Sequence, residues 1–544
     1  MNRRWMLALA LLAVAPLPAA AQPIPDTGLR AETQEQWADA VAIYEQALQA
    51  NPAQAPLWER IADIRATQLK DPAGSARALR EAVKHAPRDA RLYAKLSRAH
   101  ATAQQAPAAQ AAIDRAVELE PGNAAYLRAR AEIAAWNGDH AAAQDSYQRL
   151  LVIAPNDPEA QLGTARVHHW RGELAESERA YQAYLLQHPD AAAVWLESIV
   201  VVTELGDYAR ALDMLEIYGQ RFGDSAAYRQ QMARVLAWAE RPTQSLDIVA
   251  KLAPTLADDY ELGYTRTVAL HHAHRPREAL GSLAEVALLR LGSKEINDLT
   301  RFIHTPLRSN ATLGFAYSAG SDDVSLRRFG VRGEYVINPE TRLFGGGDRQ
   351  WLHAGAGSGF EKPDGGASIG YNRAWLGIQH RLSPALSLDG QLGHGSAEGD
   401  GHVIYQVGAD IQPVDELALR LSRRQDLHTV SPRAAKLGIE RRANTLDATW
   451  TPDLRYTVAS RLAYDTFSDG NDRWEIQLAP RRAILRSQRF NLDLGVSGAW
   501  FGYDRDPDNG YYAPARYQRY ALTAFTYWKL SDDDGVSVAF GLGP

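Results

Sequence analysis

The sequence predicts an α+β multidomain chain, an N-terminal all-α solenoid followed by a C-terminal antiparallel transmembrane β-barrel, and three observations predict it. Gly138, Gly172, Gly206, Glu240 and His274 stand 34 residues apart in one frame, the mark of stacked helix pairs. From about Asn310 onward that period gives way to short alternating strands separated by polar turns. The connections between those strands run alternately short and long, as outer-membrane barrels do. The expected segments are a signal peptide at 1–21, a periplasmic solenoid at 22–292, a linker at 293–310 and a barrel at 311–544.

The N-terminal segment begins Met1-Asn2-Arg3-Arg4, continues apolar from Trp5 to Leu17, and reaches Ala19-Ala20-Ala21 before Gln22, a small-x-small cleavage site. The apolar run is shorter than the ~20 residues a spanning helix needs and is broken by Pro16 and Pro18, so it reads as an export signal. Without any cysteine there is no disulfide, thiolate metal site, thiol nucleophile or lipidated N-terminus to expect. A formal charge of −6 over 544 residues gives no nucleic-acid footprint.

In the helical half, Pro52, Pro87, Pro121, Pro155 and Pro189 punctuate the chain at the repeat interval and stop the second helix of each pair. Small residues recur at Ala143, Ser177, Ala211, Ser245 and Ala279, where the two helices of a pair cross closely. With Trp37, Ala40, Tyr44 and Ala47 leading into Pro52, these positions identify a tetratricopeptide-like array of about eight repeats between Ala31 and Leu291. Such repeats stack to bury faces that no pair can bury alone, and present a long surface for proteins or extended polymers. Trp136, Trp170 and Trp238 read as inter-repeat core rather than as a sugar-stacking track. His271 and His274 have helical metal-pair spacing but no carboxylate nearby in sequence, so no metal site is read there.

Thirteen strands are expected, near 311–318, 325–337, 341–352, 367–380, 384–395, 402–412, 415–425, 433–450, 454–465, 472–485, 489–501, 516–530 and 534–542. Tight turns fall at Asn338-Pro339-Glu340, Ser383-Pro384, Pro413-Val414-Asp415 and Thr451-Pro452-Asp453, opposite longer loops such as 354–366 and 502–515. The phase change between Ile439 and Leu446 is read as a bulge near 441–444. Trp351, Trp450, Trp474, Trp500 and Trp528 lie near strand ends, where interface girdles form. Bacterial barrels have even strand numbers, so the odd count leads to the expectation of a truncated chain or one miscounted strand.

On one face of these strands stand Phe329, Val331 and Tyr335; on the other, Arg328, Arg332 and Glu334. Continued along the sheet, the polar face yields candidate pore-lining residues Arg328, Arg332, Glu334, Arg420, Arg455, Arg461, Arg473 and Glu475. This set leans basic and suits a neutral or anionic polymer. The other reading is that such charges pair across strands to hold the wall.

The stretch Gly510-Tyr511-Tyr512-Ala513-Pro514-Ala515-Arg516-Tyr517 looks like the Gly-aromatic-aromatic-x-Pro loop-to-strand motif of the cellulose export barrel. With the repeats before it, the chain resembles the outer-membrane exopolysaccharide secretins, the family of the cellulose export protein and the poly-N-acetylglucosamine porin. That resemblance implies a 16-stranded pore and periplasmic repeats that guide polymer or recruit periplasmic proteins, at the bacterial outer membrane. Gly510, Tyr511, Tyr512, Pro514, Arg516 and Tyr517 are the residues that carry the family-like motif. No catalytic, phosphate-binding or dinucleotide motif accompanies them, so neither an enzyme nor a cofactor is expected. The rival readings are a surface receptor whose barrel displays its outer loops, and a repeat scaffold that the barrel merely anchors.

Overall fold

The computed structural model describes residues 24–256, 258–531 and 534–543; the expected signal peptide at 1–21 lies outside them. The chain forms two compact units, divided between Pro189 and Asp190.

In the first unit the helices run in pairs, from Asp26–Thr33 with Trp37–Ala50 to Pro158–Trp170 with Leu174–Gln187. The second unit continues with Ala192–Glu204 and Tyr208–Phe222, Ala226–Trp238 and Pro242–Leu252, and Tyr260–His272 and Pro276–Leu289. The predicted frame is a frame of left-handed residues. Glu35, Lys70, Gln104, Gly138, Gly172, Gly206, Glu240 and His274 all have φ between +52° and +82°, because the chain must reverse after the first helix of each pair. The small residues of the second helix lie where expected. Ala143, Ala211 and Ala279 are fully buried, and the Ser177 and Ser245 hydroxyls donate to the carbonyls of Ala165 and Ala233, both at 2.8 Å.

Two expectations for the helical half change. Trp136 and Trp170 are 51% and 50% exposed rather than core; Trp238, at the same end of its helix, packs inward because Tyr264 and Phe302 lie across it. The stretch read as a linker carries the helix Lys294–His304, capped by Ser293 and buried through Ile296, Leu299 and Ile303.

The remainder is one antiparallel sheet of thirteen strands in sequence order: β1 (Asn310–Ala319), β2 (Val324–Asn338), β3 (Thr341–Ala354), β4 (Ser368–Ser383), β5 (Leu386–Ala397), β6 (Asp400–Val414), β7 (Leu417–Leu427), β8 (Glu440–Asp453), β9 (Tyr456–Phe467), β10 (Asp472–Leu485), β11 (Phe490–Tyr503), β12 (Tyr517–Lys529) and β13 (Gly535–Leu542). β1 and β13 are its edges and do not pair with each other. Leu313, Phe315, Phe329, Val331, Leu376, Leu392, Leu462, Ile476, Val496 and Leu522 form an exposed apolar face, the face a hydrocarbon layer would cover.

The expected strand at 433–450 is instead a short helix, Pro432–Lys436, followed by β8. No bulge falls at 441–444, where β7 and β8 pair without interruption. Proline at the first helical position and Ser431, whose hydroxyl accepts from the Ala434 amide at 3.1 Å, start a helix there. No helix among the described residues is long and apolar enough to cross a membrane.

Candidate functional site: the polar face of the sheet and its two ends

Strand alternation puts Arg332 and Glu334 of β2, Phe344 and Asp348 of β3, Tyr371, Arg373 and Trp375 of β4, and Arg420, Arg424 and Asp426 of β7 on the face opposite the apolar one. Arg373 holds Asp348 on the neighbouring strand, with 2.5 Å between Nη2 and Oδ2, and also pairs with Asp426, three strands away in the sheet order. A flat sheet keeps such strands more than ~14 Å apart at ~4.8 Å per step, so the sheet curls round its polar face. Asp426 further accepts from the Tyr371 hydroxyl at 2.8 Å, Arg424 at 2.5 Å and the Leu427 amide at 2.9 Å. Four charge-assisted or neutral bonds thus satisfy a carboxylate that is nearly buried.

Below this cluster lies a cavity of about 340 Å³, lined by Arg332, Phe344, Trp375, Gln379, Gln391 and Arg420 among others. Trp375 lies over Gly346, where a Cβ would come within 3.0 Å of the indole, and the Arg332 guanidinium stands 4.8 Å from the Phe344 ring centre. The cavity wall thus sets amide and guanidinium donors beside two rings, of which Phe344 is buried and Trp375 half-buried.

Of the sequence-predicted lining residues, Arg332 and Arg420 border this cavity. Arg420 bridges Asp389 at 2.8 Å and Asp410 at 2.7 Å, and Glu334 receives Arg332 at 3.2 Å. Arg328 stands opposite Gln350. Arg461 pairs with Asp447 at 2.6 Å, and Arg473 bridges Asp465 at 3.0 Å and Glu475 at 2.7 Å. Arg455 lies elsewhere, in the β8–β9 turn, where it pairs with Asp213 of the helical repeats. Sequence reasoning did not single out Tyr371, Arg373, Trp375 and Asp426. Alternation along β4 puts the first three on one face, but their partner on β7 is more than fifty residues away in sequence.

The long-loop end is occupied. Helix Pro432–Lys436 packs Ala435 against Leu352, Tyr371 and Leu427 and Ala434 against Phe467, Tyr511 and Ala513. The family-like motif supplies the other half of this contact. Gly510 has φ +82°, and a Cβ there would overlap Arg433; its carbonyl accepts from Ser431. The Tyr511 hydroxyl donates to Asp469 at 2.8 Å and accepts from Asn471 at 3.0 Å. Pro514 accepts from the Tyr503 amide at 2.9 Å, and Tyr517 stacks on Phe501 at 4.6 Å. Tyr512 and Arg516 point to solvent. His428 is wedged edge-on between Phe467 and Tyr511; burial, with Arg441 and Arg473 nearby, pushes its imidazole down to about 3.

The short-turn end meets the repeats. Asp213 pairs with Arg455 of the β8–β9 turn. Thr243 donates to Asp415 of the β6–β7 turn from its amide at 2.9 Å and its hydroxyl at 2.8 Å, while Arg241 donates to the Thr451 carbonyl at 2.8 Å. His274 meets Gln412 at 3.2 Å, and Arg277 grips Glu340 of the β2–β3 turn at 2.7 and 2.9 Å. Successive left-handed turns, at Gly206, Glu240 and His274, thus bring successive helix starts onto the β8–β9, β6–β7 and β2–β3 turns. The Arg277 bond holds the Glu340 carboxyl below its usual range, and burial lowers the imidazoles of His271, His272 and His274. His271 lies against Phe302 at 4.7 Å. No group of three or more side chains that could hold a metal ion occurs among the described residues.

Helical repeats seated on the short-turn rim of a two-faced, curled antiparallel sheet define a repeat-bearing membrane-barrel protein. Residues 348–531 match the family described as the PgaA membrane beta barrel domain, and residues 26–90, 94–158 and 137–197 match tetratricopeptide repeat families. The combination of this barrel domain with tetratricopeptide repeats fits the PgaA-like family. Among solved structures, a bacterial polysaccharide outer membrane secretin is 15% identical over 44% of this chain and 79% of its own, with a TM-score of 0.37. A tetratricopeptide repeat protein from Parabacteroides merdae is 14% identical over 45% of this chain and 96% of its own, at 0.33. MamA is 20% identical over 31% of this chain and 98% of its own, at 0.28. No curated protein matches the chain.

Proposed function

We propose that this chain exports an exopolysaccharide across the bacterial outer membrane without chemistry on the polymer. The repeats face the periplasm and pass polymer, or a polymer-bearing protein, to the short-turn rim. The polymer then travels along the polar face of the barrel. The observation that carries this reading is the Arg373–Asp426 pair, which draws β4 and β7 together around a polar interior while the opposite face stays apolar.

Arg328, Arg332, Glu334, Arg420, Arg461, Arg473 and Glu475 line that path in this proposal, with Arg455 at its rim. Most of these charges are already paired, so a hydroxyl-rich chain meets many weak hydrogen-bonding partners and no deep electrostatic trap, which is what conduction needs. Trp375, half-buried on the cavity wall, adds an aromatic contact for a pyranose ring.

The packed loops around Pro432–Lys436 favour a second reading, a plugged barrel that displays loops as a receptor or anchors a scaffold. Producing the chain in cells that synthesise the polymer but lack their own exporter separates the two. Export requires polymer to move from periplasm to medium; continued periplasmic retention, with the chain correctly inserted, refutes it.

A further inference from the structure

A second cavity, of about 650 Å³, opens where the helix turn at Glu204–Asp213 meets the turns after β8 and β10. Its walls differ in charge. The helical wall carries Glu204, Asp207 and Asp213, with Tyr208 and Arg210 beside them, whereas the sheet wall carries Arg455, Arg482 and Arg486 and no acid. Asp213 and Arg455 pair with each other, Glu204 pairs with Arg234 at 3.3 Å, and Arg486 turns to Asp493 at 2.6 Å. Arg482 has no ion-pair partner among the described residues; its guanidinium lies 5.5 Å from the Tyr456 ring centre.

The position of Arg482 gives this cavity its ligand. On β10 it shares the apolar face with Trp474, Ile476 and Leu478, all exposed, and Ile484 lies exposed in the bulge just beyond it. It stands opposite Tyr456 and Leu494, toward the short-turn end of that face. That is the level at which headgroups end a hydrocarbon layer, and long basic side chains reach for phosphate there.

We propose that this cavity binds the headgroup of a zwitterionic phospholipid, phosphatidylethanolamine, with the phosphate on Arg482 and the ammonium toward Glu204 and Asp207. The acyl chains then run along Ile484 and Leu478, and the lipid ties the repeats to the barrel rim. A guanidinium suits the phosphate through paired N–H donors, and the acidic wall sits on the side away from the apolar face. This assignment rests on the membrane-barrel reading.

The test uses the full chain refolded in detergent, with short-chain phosphatidylethanolamine, phosphatidylglycerol and inorganic phosphate titrated separately by calorimetry. Insertion into vesicles is checked first by protease protection of the strands. For an inserted chain, phosphatidylethanolamine should bind more tightly than the other two. Arg482→Gln should weaken both lipids by about tenfold, the loss of one charge-assisted contact. Glu204→Gln should weaken phosphatidylethanolamine and spare phosphatidylglycerol. Equal binding of inorganic phosphate, or affinities unmoved by both substitutions, overturns the headgroup site and leaves the barrel intact. Failure to insert overturns the membrane reading and this site with it.

Discussion

Arg373 on β4 and Asp426 on β7 form an ion pair across two intervening strands, with Tyr371 and Arg424 completing the shell of the carboxylate. Asp426→Ala leaves the nearly buried Arg373 guanidinium without one of its two carboxylate partners. Removing one partner of such a buried network costs about 3–5 kcal/mol. The urea midpoint of the folded barrel, followed by tryptophan fluorescence, should fall accordingly, and Asp426→Asn should recover part of the loss by keeping the Tyr371 and Leu427 bonds.

Glu35, Lys70 and Gln104 occupy left-handed backbone at the same repeat position where Gly138, Gly172 and Gly206 do. A side chain in that region costs roughly 1 kcal/mol relative to glycine. Gln104→Gly is therefore expected to raise the stability of the repeats by up to about 1 kcal/mol despite glycine's extra unfolded-state entropy. Gly172→Ala should lower it by a similar amount, because a Cβ there meets nothing and only the backbone pays. Thermal unfolding of the helical signal measures both.

That repeat position shows how much was readable from residues alone. A reversal every 34 residues demands left-handed backbone, glycine meets the demand most cheaply, and three glycines in phase reveal the frame even where Glu240 and His274 replace them. The strands were equally open to reading because a two-faced sheet alternates. Trp136 and Trp170 were misread because periodicity fixes a repeat position, whereas exposure depends on which helix lies across it. Helix Pro432–Lys436 was hidden because Leu437 and Ile439, just after it, alternate like strand residues, although Ser431-Pro432 carries a helix-start signal. The Arg373 cluster was beyond reach, since no local pattern tells which of many arginines will face an aspartate from a distant strand.

His274 joins the repeats to the sheet through Gln412, and burial, with Arg381 nearby, lowers its pKa. A base whose folded pKa is depressed contributes stability that is complete above its unfolded pKa of about 6.5 and is lost as pH falls below it. The protection factors of amides in 274–277 and 412–416, exchange rates corrected for the intrinsic pH dependence, should therefore fall between pH 7.5 and 5.5. His274→Gln should flatten that dependence while keeping a neutral side chain at the joint; a steep dependence surviving the substitution would show that His271 or His272 governs it instead.

Gly510 is where the long-loop end can be opened with one atom. Its left-handed φ and the approach of Arg433 both exclude a Cβ, so Gly510→Ala must separate 504–516 from helix Pro432–Lys436. Tyr511 then leaves its place against Phe467 and His428, and the bonds to Asp469 and Asn471 go with it. If those loops close the export path, the variant should show larger or more frequent conductance steps in planar bilayers. Cells carrying it should admit large antibiotics that the parent excludes. Strand formation should be preserved, because β11 and β12 still pair from Phe490 to Phe501. A variant that stays silent while its loops become protease-sensitive would show that the block lies deeper, at the Arg373–Asp426 cluster.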